Sequence, residues 1–271
     1  MESLGLIAQW PVPEAAAVVV RQDGSVAGTY GPQDRRFALA SVTKPLFAYA
    51  VLVAYEEGVF ELDDPAGPEG STVRHLLAHT SGLAFDEPRV MAAPGDRRLY
   101  SNTGFEVLGD ALAKATGIPY AEYLRQAVLE PLGMTGTTLD GTPAAGAVST
   151  AADLAAFAAE LQSPRLLHPS TVVTATSVAF PGLKGVLPGY GLQNPNDWGL
   201  GFEIRGAKSP HWTGAGSSPG TFGHFGQSGT FLWVDPAAQA ACVVLTDRAF
   251  GAWALEPWPR LTDAVLAELR G

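Results

Sequence analysis

The chain has 271 residues, with 17 Lys and Arg against 27 Asp and Glu, a net charge of −10 at pH 7. That length holds one or two domains with a well-buried core, and the acidic balance argues against nucleic acid and anionic membranes as partners, because both call for cationic surfaces. A single cysteine, Cys242, excludes an internal disulfide; in the apolar run Ala240-Ala241-Cys242-Val243-Val244-Leu245 it reads as a buried structural thiol, not a reactive one.

The first residues, Met1-Glu2-Ser3-Leu4-Gly5-Leu6, have neither the cationic start nor the apolar run of a secretory leader, and no stretch approaches an uncharged membrane span. A cytoplasmic location is the expectation, although a chain trimmed of its leader would read the same way. Ala15–Val20 and Val26–Tyr30 flank Asp23-Gly24, a strong hairpin signal, so two strands open the fold.

Ser41-Val42-Thr43-Lys44 follows, just ahead of the apolar run Pro45-Leu46-Phe47-Ala48-Tyr49-Ala50-Val51-Leu52-Val53-Ala54. A spacing of three places a hydroxyl and an amine on one helical face. The bland alternative is a serine helix cap beside a solvated lysine. Against it, a helix that is apolar almost all round is buried, and a lysine on its first turn is desolvated. Burial disfavours the ammonium and leaves an amine able to take a proton from serine. The helix start also offers free N–H groups and the positive end of the dipole to an oxyanion. This helix is expected to stop near Gly58, which suits a C-terminal cap.

From about Leu62 to Asn196 the pattern is mostly helical: Thr72 to His79, Thr103 to Thr116, Tyr120 to Leu129 and Ala151 to Leu161. Within it, Leu99-Tyr100-Ser101-Asn102-Thr103-Gly104 enters a helix, which lets Tyr100 and Asn102 point into a cleft. Pro181 to Asp197, rich in Pro and Gly, reads as a loop at the lip of that cleft. Strands return at Gly199–Arg205, Gly229–Val234 and Ala240–Thr246, and Pro257–Leu269 closes as an amphipathic helix. The expected fold is therefore α+β: one antiparallel sheet built from both termini (1–61 and 197–271), packed by the Ser41 and C-terminal helices. A mostly helical region (62–196) stands beside it, with the site in the cleft between.

Several other groups carry less. His79, between Leu76-Leu77-Ala78 and Thr80-Ser81-Gly82, reads as a core or capping histidine. His75, His168 and His211 lack partners at ligand spacing, and with no His-Glu-x-x-His, cysteine pair or calcium-loop acid cluster, neither a metal nor a cofactor is expected. Gly226-Gln227-Ser228-Gly229 does not fit the nucleophile elbow of α/β-hydrolases.

Taken together, Ser41-x-x-Lys44, Tyr100-x-Asn102 and His224-x-Gly226 occur in an order that resembles the serine β-lactamase and penicillin-binding-protein-like superfamily. The nearest branch is similar to class C-type β-lactamase-related hydrolases and esterases, and Leu76 to Leu83 resembles a further segment of that branch. The resemblance spans most of the chain and implies a β-lactamase/transpeptidase-like fold. It implies Ser41 as the acylated nucleophile, Lys44 as its deprotonating partner, Tyr100 as general base and then general acid, and Asn102 as the group orienting Lys44 and substrate. Backbone N–H groups of Ser41 and Gln227, beside Gly226, would form the oxyanion hole. One motif departs from the pattern: His224-Phe225-Gly226 stands where most β-lactamases of the superfamily have Lys-Thr/Ser-Gly. A histidine is not a fixed cation near neutral pH, which favours neutral esters or amides over carboxylate-bearing β-lactams. The expected function is thus a serine hydrolase acting through an acyl-enzyme on small-molecule esters. A β-lactamase or D-amino-acid peptidase is the enzymatic alternative, and a catalytically silent ligand-binding relative the alternative of another class.

Overall fold

The structure is a computed structural model describing residues 1–271. Its frame is a six-stranded, wholly antiparallel sheet in the order β2-β1-β11-β10-β9-β8. The strands are β1 (Ala15–Arg21), β2 (Val26–Tyr30), β8 (Glu203–Ile204), β9 (Phe222–Gly226), β10 (Thr230–Asp235) and β11 (Ala240–Thr246). The two ends of the chain thus meet in one ladder, with Val18 opposite Val243. Alternation by two sends Ala16, Val18, Leu232 and Val243 to one face and Ala17, Val19, Trp233 and Val244 to the other. Both faces are covered, which is why β1 and β11 read as nearly continuous apolar runs. Helix α7 (Pro257–Arg270) lays Trp258, Leu261 and Val265 on the second face together with the N-terminal turn at Leu4 and Ile7.

The first face meets α1 (Thr43–Glu56), buried on all sides but its last turn, and α5 (Ala151–Gln162), which packs against β1 and β11. The α5 contact was not anticipated: a helix from within the 62–196 stretch lies directly on the sheet. Gly58, with φ of +73°, follows the end of α1 as its cap requires. Beyond α1 stand α2 (Val73–Leu77), α3 (Asn102–Thr116), α4 (Tyr120–Leu124), a π-helical turn over Arg125–Leu129 and α6 (Pro169–Ala175).

Short pairings tie this region down. The strands β3 (Phe37–Ala38), β4 (Thr138–Leu139) and β5 (Ala147–Ser149) form a small sheet with β5 central, and Thr43 Oγ1 accepts from Ala147 N–H at 3.0 Å. The expected loop Pro181 to Asp197 contains a small hairpin, β6 (Gly185–Leu187) with β7 (Gly191–Gln193). The expected strand Gly199–Arg205 narrows to β8 alone. Gly201 sits at φ +88° and donates to Leu77 C=O, and a Cβ there would lie 2.1 Å from Ala48 Cβ, so this stretch turns tightly against α1 and leaves the ladder.

Candidate active site

Ser41 lies in a single 3₁₀ turn, Ala40–Val42, that leads straight into α1. Ala40 adopts φ +45°, a left-handed conformation that a residue with a Cβ takes up only when its surroundings hold it there. The holding contacts are visible: Leu39 C=O accepts from Thr230 Oγ1 at 2.9 Å and from Val42 N–H at 3.2 Å. Gly226 passes so near that a Cβ on it would lie 2.2 Å from Leu39 O and 2.6 Å from Thr230 Oγ1. Glycine at 226 is therefore what lets β9 run against the Ser41 turn. The N–H group of Gln227 donates to no other group of the protein, and Ser41 and Gln227 both line one cavity of about 420 Å³.

Lys44 is fully buried on the first turn of α1. Its Nζ lies 3.2 Å from Ser41 Oγ, 2.6 Å from Asn102 Oδ1 and 2.9 Å from Ala144 C=O. Asn102 Nδ2 donates to Asp86 at 2.7 Å, which fixes its amide so that Oδ1 faces the lysine. Burial drops the Lys44 ammonium to about pKa 7, opposed by the carboxylates of Asp86 and Glu106. Near neutral pH a large share of Lys44 is thus a free amine. Carbonyl oxygens can only accept, so its two N–H bonds go to Asn102 and Ala144, and the lone pair is left for Ser41 O–H.

Tyr100 comes from the turn ahead of α3, with Asn102 at the first position of that helix and the Ser101 hydroxyl capping it through Gly104 N–H at 2.9 Å. The Tyr100 ring packs 4.7 Å from Lys44 Nζ, within cation–π range. Burial pushes its phenol well above 10, with the Ser41 hydroxyl pulling weakly the other way, so the group is protonated at neutral pH. His224, on β9, explains where that proton points. Its Nδ1 lies 2.6 Å from Phe225 C=O and must carry a hydrogen there; Nε2, 3.3 Å from Tyr100 OH, then accepts from the phenol. Burial first, and then the Lys44 charge, pull His224 down to about pKa 3, so it is neutral and supplies no cation to the cavity.

The structure thus brings Ser41, Lys44, Tyr100, Asn102, His224, Gly226 and Gln227 to one place. His79, read from sequence as a core histidine, is buried and braces Tyr100 from below. Its carbonyl accepts from Leu99 N–H, its Nδ1 accepts from Ser101 N–H at 3.2 Å, and its ring packs against Tyr100 at a tilt of 41°, with centroids 4.5 Å apart. Other participants were not found from sequence: Asp86 behind Asn102, the Ala144 carbonyl, and Phe85 and Trp198 as cavity walls. None has a local signal. Asp86 lies 16 residues from Asn102 and Ala144 lies 100 from Lys44, and no helical or strand period links such positions.

Residues 8–267 match the model of the Beta-lactamase family. The chain belongs to that family. Among solved structures, a beta-lactamase (Mb2281c) from Mycobacterium bovis superposes with a TM-score of 0.97 at 59% identity, over 98% of this chain and 99% of the other. EstCE1, a hydrolase with promiscuous acyltransferase activity, shares the fold, with a TM-score of 0.78 at 20% identity over 97% and 96% of the two chains. Among characterised relatives, the D-alanyl-D-alanine-carboxypeptidase/endopeptidase AmpH of Escherichia coli is 29% identical over 175 residues, 47% of this chain and 46% of AmpH. Esterase EstB of Burkholderia gladioli is 34% identical over 155 residues, 40% of this chain and 39% of EstB. The matched stretch thus spans less than half the length of these two relatives. No helix is long and apolar enough to cross a membrane.

Proposed function

We propose that this chain is a serine hydrolase that cleaves neutral esters through an acyl-enzyme on Ser41. The observation that carries the proposal is the Lys44 amine 3.2 Å from Ser41 Oγ, its ammonium lowered to about pKa 7 and its two N–H bonds directed at obligate acceptors. Neutral Lys44 takes the Ser41 proton as Oγ attacks the carbonyl carbon, and the N–H groups of Ser41 and Gln227 receive the oxyanion. Tyr100, a protonated phenol, donates to the leaving alkoxide as the C–O bond breaks, and the Lys44 ammonium returns a proton to Tyr100. Water then attacks the acyl carbonyl, Lys44 again taking the proton, and the Lys44 ammonium returns it to Ser41 Oγ as the acyl C–O bond breaks, which releases the acid and restores both residues. Assigning the base role to Lys44 rather than Tyr100 follows from the directions of the two shifts: burial makes the amine a base near neutrality and keeps the phenol an acid.

Neutral esters are favoured because neutral His224 holds the third-motif position, where a carboxylate-bearing substrate would need a fixed cation. The resemblance to esterase EstB supports the same choice. A second reading, β-lactam turnover, is supported by the name of the 59% identical Mycobacterium bovis protein. Incubation with a fluorophosphonate should add mass at Ser41 and nowhere else, and a panel of chromogenic esters and one β-lactam should show turnover of the esters in preference. Labelling that leaves Ser41 bare would overturn the proposal, and turnover of the β-lactam alone would select the second reading.

A further inference from the structure

A second cavity of about 660 Å³ opens beside the first and shares four of its walls, Phe85, Asp86, Tyr100 and Pro188. Two segments form its lips: the loop from Leu83 to Met91 and the β6–β7 hairpin. Of the nine large apolar side chains that remain exposed on this protein, four, Phe85, Met91, Val186 and Leu192, line this one cavity. Apolar surface gathered at one place, next to a nucleophile, calls for an occupant.

The lips are built, not loose. Met91 N–H donates to Gly82 C=O at 2.7 Å, Ala84 N–H to Arg89 C=O at 2.8 Å, and Leu83 bridges Val90. Phe85 C=O receives the N–H groups of Asn102 and Thr103 at the start of α3, so this lip is fixed to the catalytic turn. Across the cavity, Arg98 N–H donates to Lys184 C=O at 3.1 Å and a Cβ on Gly185 would lie 2.4 Å from Arg98 O, which clamps the hairpin to the same turn. The charges here do not ask for an anion. Arg98 is buried and spends its guanidinium on the carbonyls of Ala78, Ala179, Phe180 and Asn196, and Arg89 pairs with Glu87, leaving Arg97 and Lys184 exposed at the outer rim.

We propose that this cavity receives an extended apolar arm of the substrate, so that the preferred esters carry an alkyl or aryl chain reaching past Tyr100 between Phe85 and Leu192. The proposal rests on the ester-hydrolase reading of Ser41. The walls that the two cavities share, Tyr100 and Phe85 among them, favour a single long ligand over a second protein chain, which would cover the lips without entering the Ser41 side.

The test uses two ester series, p-nitrophenyl esters lengthened from acetyl to decanoyl and acetates lengthened from methyl to decyl, all below their micelle concentrations. In one series kcat/KM should climb about two- to fourfold per added methylene until the cavity is filled, the increment that burying a CH₂ group supports. Leu192→Asp and Val186→Asp should each cut the ratio of long-chain to acetyl turnover at least tenfold. Val173→Asp, an equally exposed change on α6, should leave that ratio alone and serves as the folding and charge control. Flat profiles in both series, with short esters still turned over, would overturn the proposal and leave the hydrolase reading standing. A chain-length gain that survives both aspartate variants would overturn it equally, since the arm would then lie elsewhere. Absence of turnover throughout, with Ser41 unlabelled, would instead remove the reading beneath it.

Discussion

Asp86→Asn should move the acid limb of the pH–rate profile to lower pH. Neutral Lys44 is the active form in the proposed mechanism, so kcat/KM for a neutral ester rises as pH passes the lysine pKa, about 7 in the wild type. Asp86 holds that pKa up, acting through an Asn102 amide bonded to both partners at 2.7 and 2.6 Å. Two short hydrogen bonds and the amide between them set the charges roughly 7 Å apart, which gives about 0.6 kcal/mol in water-like surroundings and about 2.4 kcal/mol at an effective dielectric of 20. Asp86 is exposed while Lys44 is buried, so the weaker half of that range applies and the limb should fall by roughly 0.5 to 1 pH unit. An asparagine oxygen still accepts from Asn102 Nδ2, so the substitution removes charge and keeps the geometry. At pH 6 the variant should then turn over ester about three- to fivefold faster than the wild type, because a larger fraction of Lys44 is deprotonated. Glu106→Gln, exposed on α3 and the second carboxylate acting on Lys44, should shift the limb the same way by less. Initial rates from pH 5 to 9 in a constant-ionic-strength buffer decide the matter; a limb that stays put or moves upward in Asp86→Asn would show that the titrating base is not Lys44.

The same buried lysine should leave a mark on stability. Its folded pKa of about 7 lies below lysine's ordinary value of 10.5, so between those values the unfolded chain binds a proton that the folded chain has lost, and stability rises with pH by at most about 1.4 kcal/mol per unit. Urea unfolding of wild type and Lys44→Met at pH 7, 8 and 9 should give a difference that grows with pH in favour of the wild type; a constant difference would mean that Lys44 does not titrate there. Gly226→Ala should lose about 1–3 kcal/mol of stability, the usual cost of overpacking, because its Cβ would sit 2.2 Å from Leu39 O. Since relief requires β9 and Gln227 to retreat from Ser41, kcat should also fall tenfold or more; a variant with wild-type Tm and kcat would show that the close approach is not rigid.

The readable parts of this sequence are those whose causes are local. The Asp23-Gly24 turn, the two-residue alternation of the sheet and the all-apolar α1 each record a period or a turn conformation that a few neighbours impose. The spacing of Ser41 and Lys44 belongs with them, because one helical turn suffices to align a hydroxyl and an amine. Short strands failed that test: β3 and β4 have two residues each and exist only because β5 pairs with both, which no window of sequence registers. The Gly199–Arg205 stretch went the other way, looking like a strand until Gly201 meets Ala48.

The chemistry divides along the same line. Residue types name who can act, but the direction of proton flow depends on burial and on partners far apart in the chain. Tyr100 illustrates the gap. From sequence, a phenol beside a lysine suggests a base lowered by a cation. In the fold, that lysine is itself partly neutral, the phenol is half-buried among the rings of His79, Phe85 and Trp198, and His224, fixed by Phe225 C=O in the tautomer whose Nε2 accepts, gives the O–H a resting partner. All three conditions favour the protonated phenol, and none could be weighed before β9, α1 and the turn at Tyr100 were brought together. The roles proposed for Lys44 and Tyr100 therefore rest on tertiary structure acting on an amine and a phenol that the sequence had already offered as candidates.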